Sequence, residues 1–391
     1  MEALKLAESV QPQVVAWRRD LHKIPEIGNE LPKTSKYVQD VLTKLGIPFV
    51  TMVNGSGIMA DIQGGNPGKT LALRADMDAL PVLEEAPIDF KAENGNMHAC
   101  GHDAHTAILL GAAKILNENK AGLKGNIRLI FQPGEESPGG AKPMIAQGVL
   151  KGVDAIFGLH VGCIVAEVMT SGKISVSHGA VLACRDKFKI KIIGRGGHGA
   201  FPEMCIDPIT AAGQVINGIY MIKARECPAL SPAVISIGMV HGGSAGNIIP
   251  GEVELEGSTR SVDPELRKHI ARRIEEVVKN TCLAFGARHE FEYEYDYDIT
   301  ANNPAMADLV VAAANDLGFG DDLIPQPQAS MGSEDMSFYL NEVPGAFFFL
   351  SSIVEQDGVV YGHHNSKFML DESVFSRGVA MFVQLASDFL K

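Results

Sequence analysis

The chain of 391 residues has no run of basic side chains, and its 34 Lys and Arg are outnumbered by 47 Asp and Glu, for a formal charge of −13. That balance argues against nucleic acid or an anionic membrane surface as the main partner, since both reward clustered cations. No stretch approaches the roughly 18 uninterrupted apolar residues of a membrane span, and the charged segment MEALKLAESVQPQVVAWRRDLHK holds no apolar core of signal-peptide length. A cytoplasmic protein is the expectation. The six cysteines, Cys100, Cys163, Cys184, Cys205, Cys227 and Cys282, lack the spacing of a disulfide framework. Five read as ordinary buried or partly buried thiols, with Cys100 the exception. Repeats and low-complexity segments are also missing. What the chain does have is apolar content, 46% of residues, enough for a large core and, at this length, two domains.

Residues 1–181 alternate helical and strand patterns, which favours an α/β sheet over a sandwich. GKTLALRADMDALP reads as a buried strand entering a polar turn, GHDAHTAILLGAAKILNEN as a helix, NIRLIFQPGEE as a strand stopped by Pro133 and Gly134, and DAIFGLHV as another strand. Residues 182–296 change order. DKFKIKIIG, DPITAAGQVINGIYMIKA, AVISIGMV, EVELEGSTR, PELRKHIARRIEEVVKNTCLAFG and RHEFEYEYD spell β-α-β-β-α-β, the ferredoxin-like arrangement, which makes this segment an inserted second domain. Residues 297–391 resume the first pattern with PAMADLVVAAANDLG, AFFFLSS and a helix near SRGVAMFVQLASDFL. The expected fold is therefore α/β with an inserted α+β domain.

Four short patches carry metal-friendly side chains: Cys100 and His102 in MHACGHDAH, Glu136 in QPGEE, His160 in FGLH, and His363 or His364 in YGHHNSKF. They fall near strand ends or glycine turns, where open α/β sheets place their sites. Thiolate, imidazole and carboxylate together suit zinc, manganese, cobalt or nickel, and five ligands suffice for two ions if Cys100 bridges. His98 and His105 read as supporting or helix-start residues. Glu135, beside Glu136, is a candidate proton carrier for an activated water. Competing readings are a solvated acidic loop for the Glu pair, and a core thiol or a His-activated nucleophile for Cys100. Arg74, Asp76 and Asp78 in LRADMDALP read as residues that orient ligands. In the insert, His198 in GRGGHGAFPE can stabilise an oxyanion and Arg260 can grip a carboxylate, near the glycine-rich GGSAGNIIP that holds Asn247; surface loops and strand ends are the alternative reading of each.

In this order, WRRDLHKIPE, RADMDALPV, MHACGHDAHTA, QPGEES, GLHV, GRGGHGAFP, GGSAGNIIP and GSEDMSFYL resemble the M20 metallopeptidase family. The resemblance is to its amidohydrolase branch of aminoacylases, hippurate hydrolases, N-acetyldiaminopimelate deacetylases and auxin-conjugate hydrolases. It runs from about Trp17 to Phe368. It implies a zinc-peptidase-like catalytic domain interrupted by a lid, and two divalent ions per subunit, zinc or manganese first, with cobalt or nickel as options. Cys100 would bridge them, with His102, Glu136, His160 and His364 as further ligands and Glu135 as general base and acid. His364 is chosen over His363 because HNSKF matches a His-x-Pro-x-Phe pattern, with Ser366 where proline is usual. Asn247 and Arg260 would hold the substrate carboxylate, and His198 would reach an active site, often the neighbouring subunit's. The implied reaction is hydrolysis of an N-acyl amino acid to a carboxylic acid and a free amino acid, in a homodimer or dimer-based oligomer; a metallo-dipeptidase or carboxypeptidase is the alternative. Glu203 and Met204 stand where the branch often has His, a departure that bears on specificity.

Overall fold

The computed structural model describes residues 2–163 and 170–391. Contacts divide it into two compact units: the chain up to Val181 with Thr300–Ser330 and Glu334–Lys391, and Leu182–Ile299 with Met331–Ser333.

The first unit is built on an eight-stranded sheet in the order Phe49–Met52, Gly57–Gln63, Lys124–Gln132, Asn66–Asp76, Ala155–Val161, Gly345–Leu350, Ile174–Val176, Leu323–Pro325. The four strands from Lys124–Gln132 to Gly345–Leu350 run parallel. AIFGLHV and GAFFFL are buried at every position, as strands covered on both faces must be. Parallel strands end at the same edge, so register sets Asp76 beside Gln132 and Val161 beside Leu350. Helices Ala3–His22, His102–Glu118 and Phe375–Phe389 pack on one another. They meet closely at Gly111, where a Cβ would sit 2.7 Å from Val14 Cγ2 and 2.9 Å from Val379 Cγ2.

The second unit has the expected β-α-β-β-α-β order. Its antiparallel sheet runs Ala233–Gly242, Glu252–Ser261, Arg185–Ile193, Arg288–Tyr297. Alternation in KFKIKII sends Phe188, Ile190 and Ile192 into a core shared with helices Pro208–Arg225 and Pro264–Ala284. Lys189 and Lys191 take the other face and pair with Glu256, Glu252 and Glu254. Each helix starts on an Asp-Pro step: Asp207 accepts from the Ile209 amide, and Asp263 from those of Glu265 and Leu266. Among the described residues no helix is long and apolar enough to cross a membrane.

Candidate metal centre and active site

Gly101 makes the local geometry possible. It caps the helix His102–Glu118 at φ +89, and a Cβ there would lie 2.8 Å from Val161 Cγ2. Only glycine takes that conformation without strain, so Cys100 and His102 can flank a tight turn into the helix. Replacing Gly101 by Ala adds about 1–2 kcal/mol of left-handed strain before the clash is counted. The expected result is a lower unfolding midpoint together with fewer bound metal ions per chain; an unchanged midpoint and metal content would show that the turn tolerates a side chain.

Two donor triplets share Cys100, each with its ligand atoms within 4.8 Å of one another: Cys100, His102 and Glu136, and Cys100, His160 and His363. Cys100 Sγ lies 3.5 Å from His160 Nε2. The Val161 carbonyl, 2.7 Å from His160 Nδ1, can only accept, so Nδ1 carries the proton and the Nε2 lone pair faces the sulfur. His102 is buried, with Nδ1 3.3 Å from Asp78 and Nε2 3.8 Å from Asp76, and neither nitrogen makes an aligned hydrogen bond. Burial would lower its pKa, but Asp76 and Asp78 outweigh it and raise it to about 10. Orphaned buried groups cost about 1–3 kcal/mol each. A divalent cation among these donors relieves that cost, and the thiol, imidazole and carboxylate set fits zinc, manganese, cobalt or nickel.

The two adjacent histidines separate. His363 packs inward, Nδ1 3.7 Å from Cys100 Sγ and Nε2 accepting from the Cys163 amide at 3.1 Å. His364 adopts a left-handed backbone, φ +66, and its amide bonds the Ala99 carbonyl at 2.8 Å. Its Nε2 is 3.0 Å from Glu136 Oε1, which is otherwise without a hydrogen-bond partner. His105 has both nitrogens engaged: Nε2 accepts from the Val161 amide at 2.8 Å, and Nδ1 meets Asp76 Oδ1 at 2.5 Å. It therefore supports the site rather than offering a lone pair to it.

Glu135 and Glu136 diverge in chemistry. Both backbone amides are held by Asp78, whose Oδ1 and Oδ2 accept from them at 2.9 and 3.0 Å. Glu136 faces the donors: burial would raise its pKa, but His364 and His102 bring it below the usual value. Glu135 turns to Glu334 and Asp335, whose carboxylates lie within 4.8 Å of its own. Burial first, then Glu334, Glu136 and Asp335, push its carboxyl well above the usual range. Neighbouring carboxyls driven apart in this way are the pattern of one ligand and one proton carrier. Burial, with Glu136, Glu135 and Asp76, also raises the Cys100 thiol well above its ordinary value. Nucleophile and metal ligand alike need the thiolate, so the raised thiol does not separate the two readings of Cys100; the donors that converge on its sulfur favour the ligand.

Two supporting networks surround the site; of the first, Arg74 and Asp76 were expected to orient ligands, whereas the roles of Glu334 and Asp335 were not foreseen. Arg74, fully buried, bonds Gln132 at 3.0 Å, Asp76 at 2.8 Å, and Glu334 and Asp335 at 2.9 Å each. Asp335 in turn accepts from the amides of Gly140 and Ala141, both at 2.9 Å, closing the far end of the loop that carries Glu135. The second network ties Asp103, in the first turn of His102–Glu118, to Arg18 at 2.8 Å and to His22 at 2.7 Å. His22 also meets Glu84 at 3.0 Å. For Glu334 and Asp335 the sequence offered an acidic pair after Gly332-Ser333, like Glu135-Glu136 after Pro133-Gly134, inside the motif GSEDMSFYL.

In the second unit, His198 and Asn247 come together. Gly197–His198 pairs with Ile248–Ile249, and the Gly199 amide bonds the Asn247 carbonyl at 2.9 Å. The Ala200 amide donates to His198 Nδ1 at 3.0 Å, which leaves Nε2 as the proton-bearing, outward nitrogen of the neutral ring. Arg260 lies near the other end of the strand Glu252–Ser261, its Nη1 on the Met331 carbonyl at 2.9 Å.

The chain is similar to known proteins over most of its length. Residues 72–388 match the model of peptidase family M20/M25/M40. Thermostable carboxypeptidase 2 of Saccharolobus solfataricus is 41% identical over 98% of this chain and 96% of its own length. N-acyl-L-amino acid amidohydrolase of Geobacillus stearothermophilus is 41% identical over 74% of this chain and 78% of its own. A Bacillus subtilis crystal structure, described as a dinuclear metal-binding peptidase of the M20 family, superimposes with a TM-score of 0.85 at 33% identity, covering 98% of this chain and 99% of that one. The chain belongs to peptidase family M20/M25/M40 and is a hydrolase of amide bonds with its fold, a catalytic α/β unit carrying an inserted α+β lid.

Proposed function

We propose that the protein is a metal-dependent amidohydrolase that cleaves the amide of N-acyl amino acids to a carboxylic acid and a free amino acid. The observation that carries the reading is the placement of Glu135. It shares the Asp78 clamp with Glu136, yet stands outside both Cys100 donor triplets, beside Glu334 and Asp335, and has a raised proton affinity. The resemblance of the chain to an N-acyl-L-amino acid amidohydrolase and to an N-acetylcysteine deacetylase supports the substrate class.

Cys100, His102, Glu136, His160 and His364 would hold two divalent ions. His364 is preferred to His363 because the Cys163 amide already occupies the Nε2 lone pair of His363. When bound, the ions supply Lewis acidity for the amide carbonyl and lower the pKa of water. Glu135 takes the proton from the attacking water and returns it to the leaving nitrogen. His198 offers its Nε2–H to the carbonyl oxygen as charge develops there; Arg260 is assigned to the substrate carboxylate, and Asn247, beyond the opposite end of the strand Glu252–Ser261, would reach it from the other subunit of the dimer. We assign the enzyme to the cytoplasm as a homodimer joined through the lid, with His198 serving an active site of the dimer.

Free-amine release from N-acetyl, N-benzoyl and longer acyl amino acids, compared with dipeptides, tests the reaction. Chelation is expected to remove activity, and zinc or manganese to restore it. Hydrolysis confined to peptides would favour the second reading, a dipeptidase or carboxypeptidase, which the likeness to thermostable carboxypeptidases supports. Activity indifferent to chelation would refute both.

A further inference from the structure

Resting on the reading of Cys100 as a metal-bound thiolate, we propose that His363 is a positioning residue that donates its Nδ1–H to the Cys100 sulfur and so sets the donor strength of that sulfur. A neutral imidazole has one N–H and one lone pair. The Cys163 backbone N–H, 3.1 Å from His363 Nε2, can only donate, so the lone pair is at Nε2 and the proton at Nδ1. Nδ1 is 3.7 Å from Cys100 Sγ, within the range of an N–H···S hydrogen bond. A nitrogen that carries a proton cannot ligate a metal, so proximity to Cys100 and His160 does not make His363 a ligand.

The ring cannot easily turn to the other polarity. Gly162, at φ +106, leaves it room: a Cβ there would fall 2.4 Å from both Cε1 and Nε2 of His363. His160 and Phe368 lie against the ring at centroid distances of 5.1 and 4.7 Å. A flip would put carbon-bound hydrogens against both the sulfur and the Cys163 amide, losing two hydrogen bonds at once. Two imidazoles thus face one sulfur with opposite roles. His160 presents a lone pair, which can share a metal with the thiolate; His363 presents a proton.

An N–H···S bond draws charge from a thiolate and weakens it as a donor, which leaves the metals it binds more electron-poor. Partners of this kind around a metal site commonly change metal affinity by about 10–100-fold when removed. The test uses the full-length protein loaded with cobalt(II), His363→Phe to keep a ring without the N–H, and His363→Asn to return an N–H near the Nδ1 position. His363→Phe is expected to keep the wild-type metal stoichiometry and to move the sulfur-to-cobalt charge-transfer band to lower energy. His363→Asn should bring the band back toward the wild-type position, whereas His364→Ala should lose an ion. Loss of an ion in His363→Phe would make His363 a ligand and overturn the proposal, as would an unshifted band at full stoichiometry. A wild-type protein with no sulfur-to-cobalt band would instead show that Cys100 is not a ligand, so failure of the underlying reading is seen separately.

Discussion

Glu135→Gln is expected to bind metal as the wild type does and to lose roughly 10²–10⁴-fold in kcat, the usual contribution of a positioned general acid–base group. Gln preserves the size of the side chain. It also preserves the backbone amide that bonds Asp78, so the loop and the neighbouring Glu136 stay in place. What it removes is a carboxyl that can exchange a proton. Because burial and its acidic neighbours already push Glu135 toward its neutral form, a neutral amide of the same size should add no crowding among Glu135, Glu334 and Asp335. Stability is therefore expected to hold while turnover falls. Metal content by elemental analysis, the unfolding midpoint and kcat on one good substrate decide the matter. A variant with near-normal kcat would place the base elsewhere, and one that lost metal would make Glu135 a ligand.

Arg74→Met is expected to be the most damaging single change to the fold. Arg74 is fully buried and is the shared cationic partner of Asp76, Glu334 and Asp335. Removing one partner of a buried ion pair typically costs about 3–5 kcal/mol, because the other is left buried and uncompensated. The pH dependence has a definite sign. Burial, only partly offset by Arg74, raises Glu334 to about 8 in the folded protein. A carboxyl raised on folding contributes stability below its unfolded pKa, near 4.5, and loses it as pH climbs through the folded value. Without Arg74 that pKa rises further. The gap in unfolding midpoint between wild type and variant should accordingly be wider at pH 8 than at pH 5. A gap that narrowed with rising pH would mean the carboxyls do not depend on Arg74.

Much of the architecture was readable because burial leaves a strong trace in composition. Strands covered on both faces have no polar alternation, so IRLIF and AIFGLHV stand out, and the first polar residues beyond them mark the functional edge. The insert was readable for the opposite reason, since KFKIKII and EVELEG alternate as one-sided sheet strands do. Cys100-Gly101-His102 was legible because its chemistry is local, a glycine at positive φ between two donors. Glu334 and Asp335 were not, because their meaning comes from Arg74, some 260 residues away. An acidic pair on a loop looks solvated until its partner is known. The choice of His364 over His363 came from the HNSKF pattern alone; its physical basis, a single left-handed residue that turns one imidazole toward Cys100 and the other toward Glu136, shows only in the fold.

Asp78 has the widest reach for its size. One carboxylate receives the amides of Glu135 and Glu136 and stands 3.3 Å from His102. The proposed proton carrier and the proposed ligand beside it are thus fastened to a common bracket rather than to two separate walls. A displacement of that bracket would carry Glu135 and Glu136 together, so their mutual spacing would vary less than the position of either. A part of the protein that shifts as a block keeps its calibration even when it does not stay still.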